Sequence, residues 1–221
     1  NALSDLASVE KHRSKTEAIA KVAGDLPVLF FGSFQESSKY EYFAHKPSFT
    51  LGFVDSRHTQ FDIWQIEKKY HNKPVFICQY VPGMSKWYRY DKGWICGFAT
   101  DSLQTVNRME LRFDMPDLVL ERGKMEKIHC TIHNPYNFDI NFNHHRFPVQ
   151  VMAVFIQKEN PWYLPVKISG PMGIIKAGET ISREITLEVP QLLDGTYRFG
   201  FSLSTSICKP LNSKMIEVKL K

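Results

Sequence analysis

The sequence predicts two joined fold classes: a small three-layer α/β domain with a mixed or parallel sheet over residues 1–113, then an immunoglobulin-like β-sandwich over 114–221. Three observations carry this. Short continuous apolar runs alternate with helical patterns in the first half. Strict alternation of apolar and polar residues, broken by regular turn formers, fills the second. The chain has 221 residues, 43% hydrophobic and 23% charged, which suits one large domain or two small ones.

In chain order, residues 3–23 place Leu3, Leu6, Ile19, Val22 and Ala23 at helical spacing, and Gly24 follows where a helix C-terminal glycine belongs. Pro27-Val28-Leu29-Phe30-Phe31 is a continuous apolar run, the pattern of a strand covered on both faces. Gly32-Ser33 breaks it. Ser37 or Ser38 is a candidate cap for a short helix over Lys39–His45, which Pro47 ends. A weaker strand, Ser48–Phe53, precedes a second helix opened by Thr59 or Gln60 and bearing Ile63, Ile66 and Tyr70. Pro74-Val75-Phe76-Ile77-Cys78 is a second buried-type strand, so the rhythm is βαβαβ. Trp87–Tyr90 and Trp94–Phe98, on either side of Asp91-Lys92-Gly93, read as a hairpin.

The second half carries period-two runs at Ile128/Cys130/Ile132, Val149/Val151/Ala153/Phe155, Ile185/Leu187/Val189, Tyr197/Phe199/Phe201/Leu203 and Ile216/Val218/Leu220. Turn formers such as Asn134-Pro135, Asn160-Pro161 and Asp194-Gly195 separate them. About seven short strands with such turns suit an immunoglobulin-like sandwich, as does Asp194-Gly195-Thr196-Tyr197 ahead of the last long strand. The linker falls near Asp114-Met115-Pro116-Asp117.

Lys plus Arg is 28 against 23 acidic residues, and the excess is shared between the halves, with no basic tail, which argues against a dedicated nucleic-acid binder. No run of about 18 apolar residues occurs, so no segment has the pattern of a membrane-spanning helix, and no signal-peptide pattern opens the chain. Cys78, Cys96, Cys130 and Cys208 form no Cys-x-x-Cys pair, and their apolar surroundings favour free thiols over disulfides. No cofactor and no metal is expected. There is no phosphate-binding glycine loop and no Gly-x-Ser-x-Gly elbow. His129 and His133, four apart on a strand, stand roughly 13 Å apart, too far to share an ion. His144-His145 with Asp139 reads as a solvated loop rather than a ligand set.

The binding candidates are therefore few. A strand-to-helix corner at the carboxyl ends of an α/β sheet is where ligands often sit. That singles out Ser33, Gln35 and Lys39, with Arg57 and Asp62 from the next loop; Lys39 and Arg57 would meet a phosphate or an acidic sugar. The competing reading is that these residues cap helices and pair charges at the surface. Trp64, Trp87, Trp94 and Trp162 would suit sugar stacking, though aromatic side chains more often pack cores; Trp162, in a loop of the sandwich, is the one singled out as an exposed functional aromatic.

The run Gly24-Asp25-Leu26-Pro27-Val28-Leu29-Phe30-Phe31 is followed by Ser33-Phe34-Gln35-Glu36-Ser37-Ser38-Lys39-Tyr40, Tyr42-Phe43, Pro47-Ser48-Phe49 and Gln60-Phe61-Asp62-Ile63-Trp64. This order resembles the region after the last membrane helix of bacterial glycosyltransferases of the dolichyl-phosphate-mannose-protein mannosyltransferase type, relatives of the aminoarabinose transferases that modify lipid A. It covers mainly residues 22–80. The resemblance implies a soluble region on the periplasmic face of the bacterial inner membrane. Its partners would be the membrane portion of the same polypeptide and a lipid-linked sugar or glycan acceptor, with no nucleic acid. The family's acidic catalytic residues and its donor site lie in the membrane portion, and no residue here corresponds to them. The resemblance thus implies that this region is non-catalytic and inactive alone, supporting acceptor docking or the catalytic loops. A first residue, Asn1, with no initiator Met fits that expectation. The alternative is a freestanding secreted α/β hydrolase, or a carbohydrate- or protein-binding protein with a β-sandwich module.

Overall fold

The computed structural model describes residues 2–32, 34–52, 66–115 and 118–221, the first six by backbone alone. The chain is β-rich, with several sheets and two α-helices among the described residues. It divides into two compact units, one ending at Thr105 and the other running from Val106 to Lys221.

The first unit contains α1 (Ala2–Ala23), β1 (Val28–Phe31), α2 (Phe34–Ala44), β2 (Ser48–Leu51), a 3₁₀ turn (Ile66–Tyr70), β3 (Val75–Ile77), β4 (Lys86–Tyr90) and β5 (Gly93–Thr100). Gly24 closes α1 as its sequence position predicts, with φ 62° and its N–H donating to the Ala20 carbonyl at 3.0 Å. The sheet order is β2-β1-β3-β5-β4. β1 runs parallel to β2 and β3, and β5 runs antiparallel to β3 and β4, so the sheet is mixed.

Register fixes which side chains share a face. Val28, Phe30, Phe76 and Ile95 join Ile19 and Ala23 of α1 and Tyr40 of α2 in one core. On the other face Leu29, Phe49 and Ile77 are aligned across three strands, and Phe49 stacks on Tyr70 of the 3₁₀ turn at 4.6 Å. The helices and the 3₁₀ turn thus meet opposite faces, which is why β1 is apolar at every position. Gly97 is required by closeness: a Cβ there would come within 2.5 Å of the Ile77 carbonyl oxygen and 2.7 Å of the Phe76 ring.

Two expectations change. The helix expected from Lys39 begins at Phe34, so Ser37 is an interior residue and not a cap. Buried, its hydroxyl lies 2.7 Å from that of Ser48, joining α2 to β2. The weak strand stops at Leu51. The second predicted helix falls largely outside the described residues; its end, Ile66–Tyr70, is 3₁₀.

The second unit contains β6 (Glu110–Phe113), β7 (Val119–Leu120), β8 (Met125–His133), β9 (Ile140–Asn141), β10 (Gln150–Gln157), β11 (Asn160–Pro165), β12 (Lys167–Ile168), β13 (Ile174–Ile175), β14 (Thr180–Glu188), β15 (Gly195–Ser204) and β16 (Ile216–Leu220). One sheet is ordered β11-β10-β15-β16-β7, a second β12-β14-β8-β6, and β13 pairs with β9. The division between units falls after Thr105 and not at 113/114, because β6 pairs antiparallel with β8.

Both larger sheets contribute to one apolar core. Ile128, Cys130 and Ile132 of β8 and Ile185 and Leu187 of β14 meet Ala153 and Phe155 of β10 and Phe199, Phe201 and Leu203 of β15. Phe113 of β6 packs edge-on against Phe199 and Phe201 of the other sheet, at 5.7 and 4.9 Å. Two buried asparagines tie the connections. Asn134 Nδ2 donates to the carbonyls of Phe138, Ile175 and Lys176, and its Oδ1 accepts from Tyr136 N–H. Asn212 Nδ2 donates to Val106 and Met109 carbonyls, and its Oδ1 accepts from Leu203 N–H. Such groups remain buried only when their hydrogen bonds are made.

Candidate functional site

Of the residues singled out from the sequence, Ser33, Arg57 and Asp62 lie outside the described residues. Gln35 is exposed in the first turn of α2. Lys39, one turn on, is half-buried in the seam between the helices, with Nζ 3.3 Å from His12 Nε2 and 3.6 Å from Glu36 Oε1. Glu36 also accepts a hydrogen bond from Lys15 Nζ. Burial would push the Glu36 carboxyl up, but the Lys15 hydrogen bond and the charges of Lys15, Lys39 and His12 together hold it below its ordinary range. Lys39 is thus engaged in a helix–helix charge cluster. The surface-pairing reading accounts for the part of the constellation that is described.

The carboxyl edge of the parallel strands is built from other residues. β1 leads into Gly32, and β3 leads into Cys78, Gln79 and Tyr80. β5 reaches back past this edge: its residues Phe98–Thr100 pair with β3, while Gly93–Gly97 pair with β4 alone. The hairpin β4–β5, closed by Asp91-Lys92, therefore overhangs the edge. One side of the overhang is spoken for. Tyr88, Tyr90 and Ile95 pack into the helix-side core, Ser14 Oγ donates to Asp91, and Lys92 pairs with Glu10. The other side carries Trp87, Arg89, Trp94 and Cys96, two cross-strand pairs on one face. Trp87 and Trp94 are each 59% exposed and Tyr80 57%, and Tyr80 stacks on Trp87 at 6.1 Å. The hairpin was legible from the sequence; Trp87 and Trp94 were candidates for a stacking surface but favoured for packing, because exposure depends on the strand register.

Trp162 is placed differently from its expectation. It lies on β11, not in a loop, is half-buried, and packs edge-on against Tyr197 at 5.8 Å. The histidines singled out above have local neighbours. His144 is buried, and its Nδ1 accepts from the backbone N–H of Arg146 and Phe147, closing a loop; Asp139 binds Lys176. His133 Nδ1 lies 2.9 Å from Thr180 Oγ1, and His129 stands opposite Glu184. Among the described residues no three His, Cys, Asp or Glu side chains converge as metal ligands.

An open groove of about 670 Å³ runs along β6, β8 and β14, with Arg112, His129, Thr131, Ser182 and Glu184 on its walls. Several of its charges are matched locally: Arg112 pairs with Glu110, and Lys127 with Glu184. Cys130, at its base, is a poor nucleophile because burial pushes the thiol up to about 11; Cys78 is raised to about 11 for the same reason. All four cysteines are free thiols.

No family model and no curated protein matches the chain. Solved structures overlap about half of it. An alkylpurine DNA glycosylase AlkC of Pseudomonas fluorescens covers 52% of this chain at 8% identity with a TM-score of 0.35, over 30% of its own length. A β-glucosidase of Listeria innocua covers 51% at 15% identity and TM-score 0.31, over 16% of its length. The CARDB domain of PF1109 from Pyrococcus furiosus covers 51% at 10% identity and TM-score 0.30, over 93% of its length. The chain spans under a third of the first two. At such scores these likenesses carry no argument about function.

Proposed function

We propose that this chain is a non-catalytic, periplasmic region of a polytopic bacterial glycosyltransferase of the mannosyltransferase-like type. It supports acceptor docking or the catalytic loops of a membrane portion that uses a lipid-linked sugar. The observation that carries the reading is where the resembling residues fall. Gly24–Phe31, Phe34–Phe43 and Pro47–Phe49 are consecutive parts of one β1–α2–β2 unit, closed by the Ser37–Ser48 hydroxyl contact and by Phe30 against Tyr40 at 5.7 Å. This continuity of the described stretches supports the resemblance; its remaining residues, Ser33 and Gln60–Trp64, lie outside the described residues.

The finer fold belongs to the same proposal. The first unit is a three-layer α/β domain, supported by α1 and α2 on one face of its sheet and the 3₁₀ turn on the other. The second is an immunoglobulin-like sandwich. Its support is Tyr197, near the start of β15, whose hydroxyl donates back to the Leu193 carbonyl at 2.9 Å. That is the tyrosine corner of such sandwiches.

The test reads the gene and the enzyme. The coding sequence upstream is expected to encode several segments long enough to span a bilayer. A short gene with a single cleavable signal overturns the proposal, as does turnover of any sugar substrate by these 221 residues alone. In the full-length enzyme, replacing Lys39 and Arg57 together reduces transfer if they form a binding site, and leaves it unchanged if Lys39 serves only its charge cluster with His12 and Glu36. Unchanged transfer with unchanged folding discards that pair as a binding site.

A further inference from the structure

We infer that the β4–β5 hairpin is a membrane-surface contact, seating its aromatic face among the headgroups of an anionic bilayer. The inference stands on the hairpin alone and goes beyond the proposed function. Trp and Tyr side chains have an apolar body and a polar tip, and they settle at the level of the headgroups. Trp87 and Trp94 on the overhang, with Tyr80 from the segment after β3 stacked on Trp87, offer three such rings, each more than half exposed. An exposed cluster of this kind is uncommon on a surface that meets only water.

Charge selects the occupant. Residues 66–100 hold six basic residues against two acidic ones, Glu67, which is buried, and Asp91, although the excess over the whole chain is only +5. Arg89 lies between the two tryptophans on the aromatic face, opposite Trp94, and Lys86 is exposed at the start of the same edge strand. Neither makes an ion pair among the described residues. The 3₁₀ turn bearing Lys68 and Lys69 meets the same face of the sheet, the one away from α1 and α2. Aromatic rings interleaved with Arg89, with Asp91 bonded to Ser14 and Lys92 paired with Glu10 on the side of the hairpin that meets the helices, match a negatively charged lipid surface better than a neutral one.

The experiment is sedimentation of the 221-residue chain with phosphatidylcholine vesicles, with and without phosphatidylglycerol. The chain is expected to pellet with the anionic vesicles, with a blue shift of tryptophan emission, and to release as salt is raised. W87A/W94A should lower partitioning at least about tenfold. R89E should lower it about fivefold or more. All three side chains are exposed, so circular dichroism and the melting transition should stay unchanged. Binding that ignores these substitutions, or equal binding to neutral vesicles at high salt, overturns the inference. So does no partitioning at all, or an emission change with a soluble oligosaccharide and none with vesicles, which would make the face a glycan platform.

Discussion

In the second unit, Asn134 and Asn212 are buried with both ends of each side-chain amide hydrogen-bonded. In the first, Tyr40 Oη, Thr50 Oγ1 and Gln79 Oε1 are buried with no hydrogen-bond partner among the described residues. One unit spends its polar interior on fixing connections between strands. The other matches Ser37 with Ser48 but keeps these three polar atoms with no partner among the described residues. Satisfied amides favour a single arrangement, whereas an unmatched buried polar atom costs stability; among the described residues the second unit holds one such atom as well, Arg183 Nε. The second unit thus ties its connections through buried amides, while the first carries the exposed aromatic hairpin.

The sharpest way to break the contrast is to open the core of the second unit. F201A should destabilise it by about 3–5 kcal/mol, since Phe201 is fully buried and bridges both sheets through Phe113. Urea denaturation followed by circular dichroism reads this. N134A comes next, at about 2–3 kcal/mol, because three carbonyls lose their donor. A cost near zero for N134A would erase the distinction.

Y40F tests the other side. It removes a hydroxyl that has no partner among the described residues, so stability should hold or rise by up to about 1 kcal/mol. It should also change the alkaline limb. Burial, with the Cys78 thiolate as a further influence, pushes the Tyr40 phenol up to about 12 in the folded state from an ordinary 10. The folded chain then holds a proton that the unfolded chain has lost, so this contribution is present below pH 10 and disappears as pH rises towards 12. Denaturation midpoints across that range should fall less steeply in Y40F. The smallest effect is expected from K15A, which removes a partly exposed pair with Glu36 and should cost under about 1 kcal/mol.

The sequence made some of this plain and hid the rest for physical reasons. The five alternating runs fall on β8, β10, β14, β15 and β16, because a strand with one face on a core must alternate. Pro27–Phe31 was readable because burial on both faces leaves no polar position. The start of α2 was not: Ser37 has the chemistry of a cap, and only its contact with Ser48 shows that it is interior. Trp162 looked loop-borne because prolines bracket its strand, and only pairing with β10 reveals an edge. Which aromatic residues of the hairpin face outward could not be read, because residue type does not distinguish a ring turned to the core, such as Tyr88, from one turned outward, such as Trp87.

Pro161 and Pro165 sit on β11, the outermost strand of its sheet, and the opposite border is the two-residue β7. A proline offers no N–H to an incoming strand, and two residues give a poor template. Stacking of copies border to border is blocked at both margins of this sheet. High concentrations of the chain should therefore be tolerated without fibre growth from it, and replacing both prolines with Thr should be the substitution that first brings on thioflavin-positive aggregates.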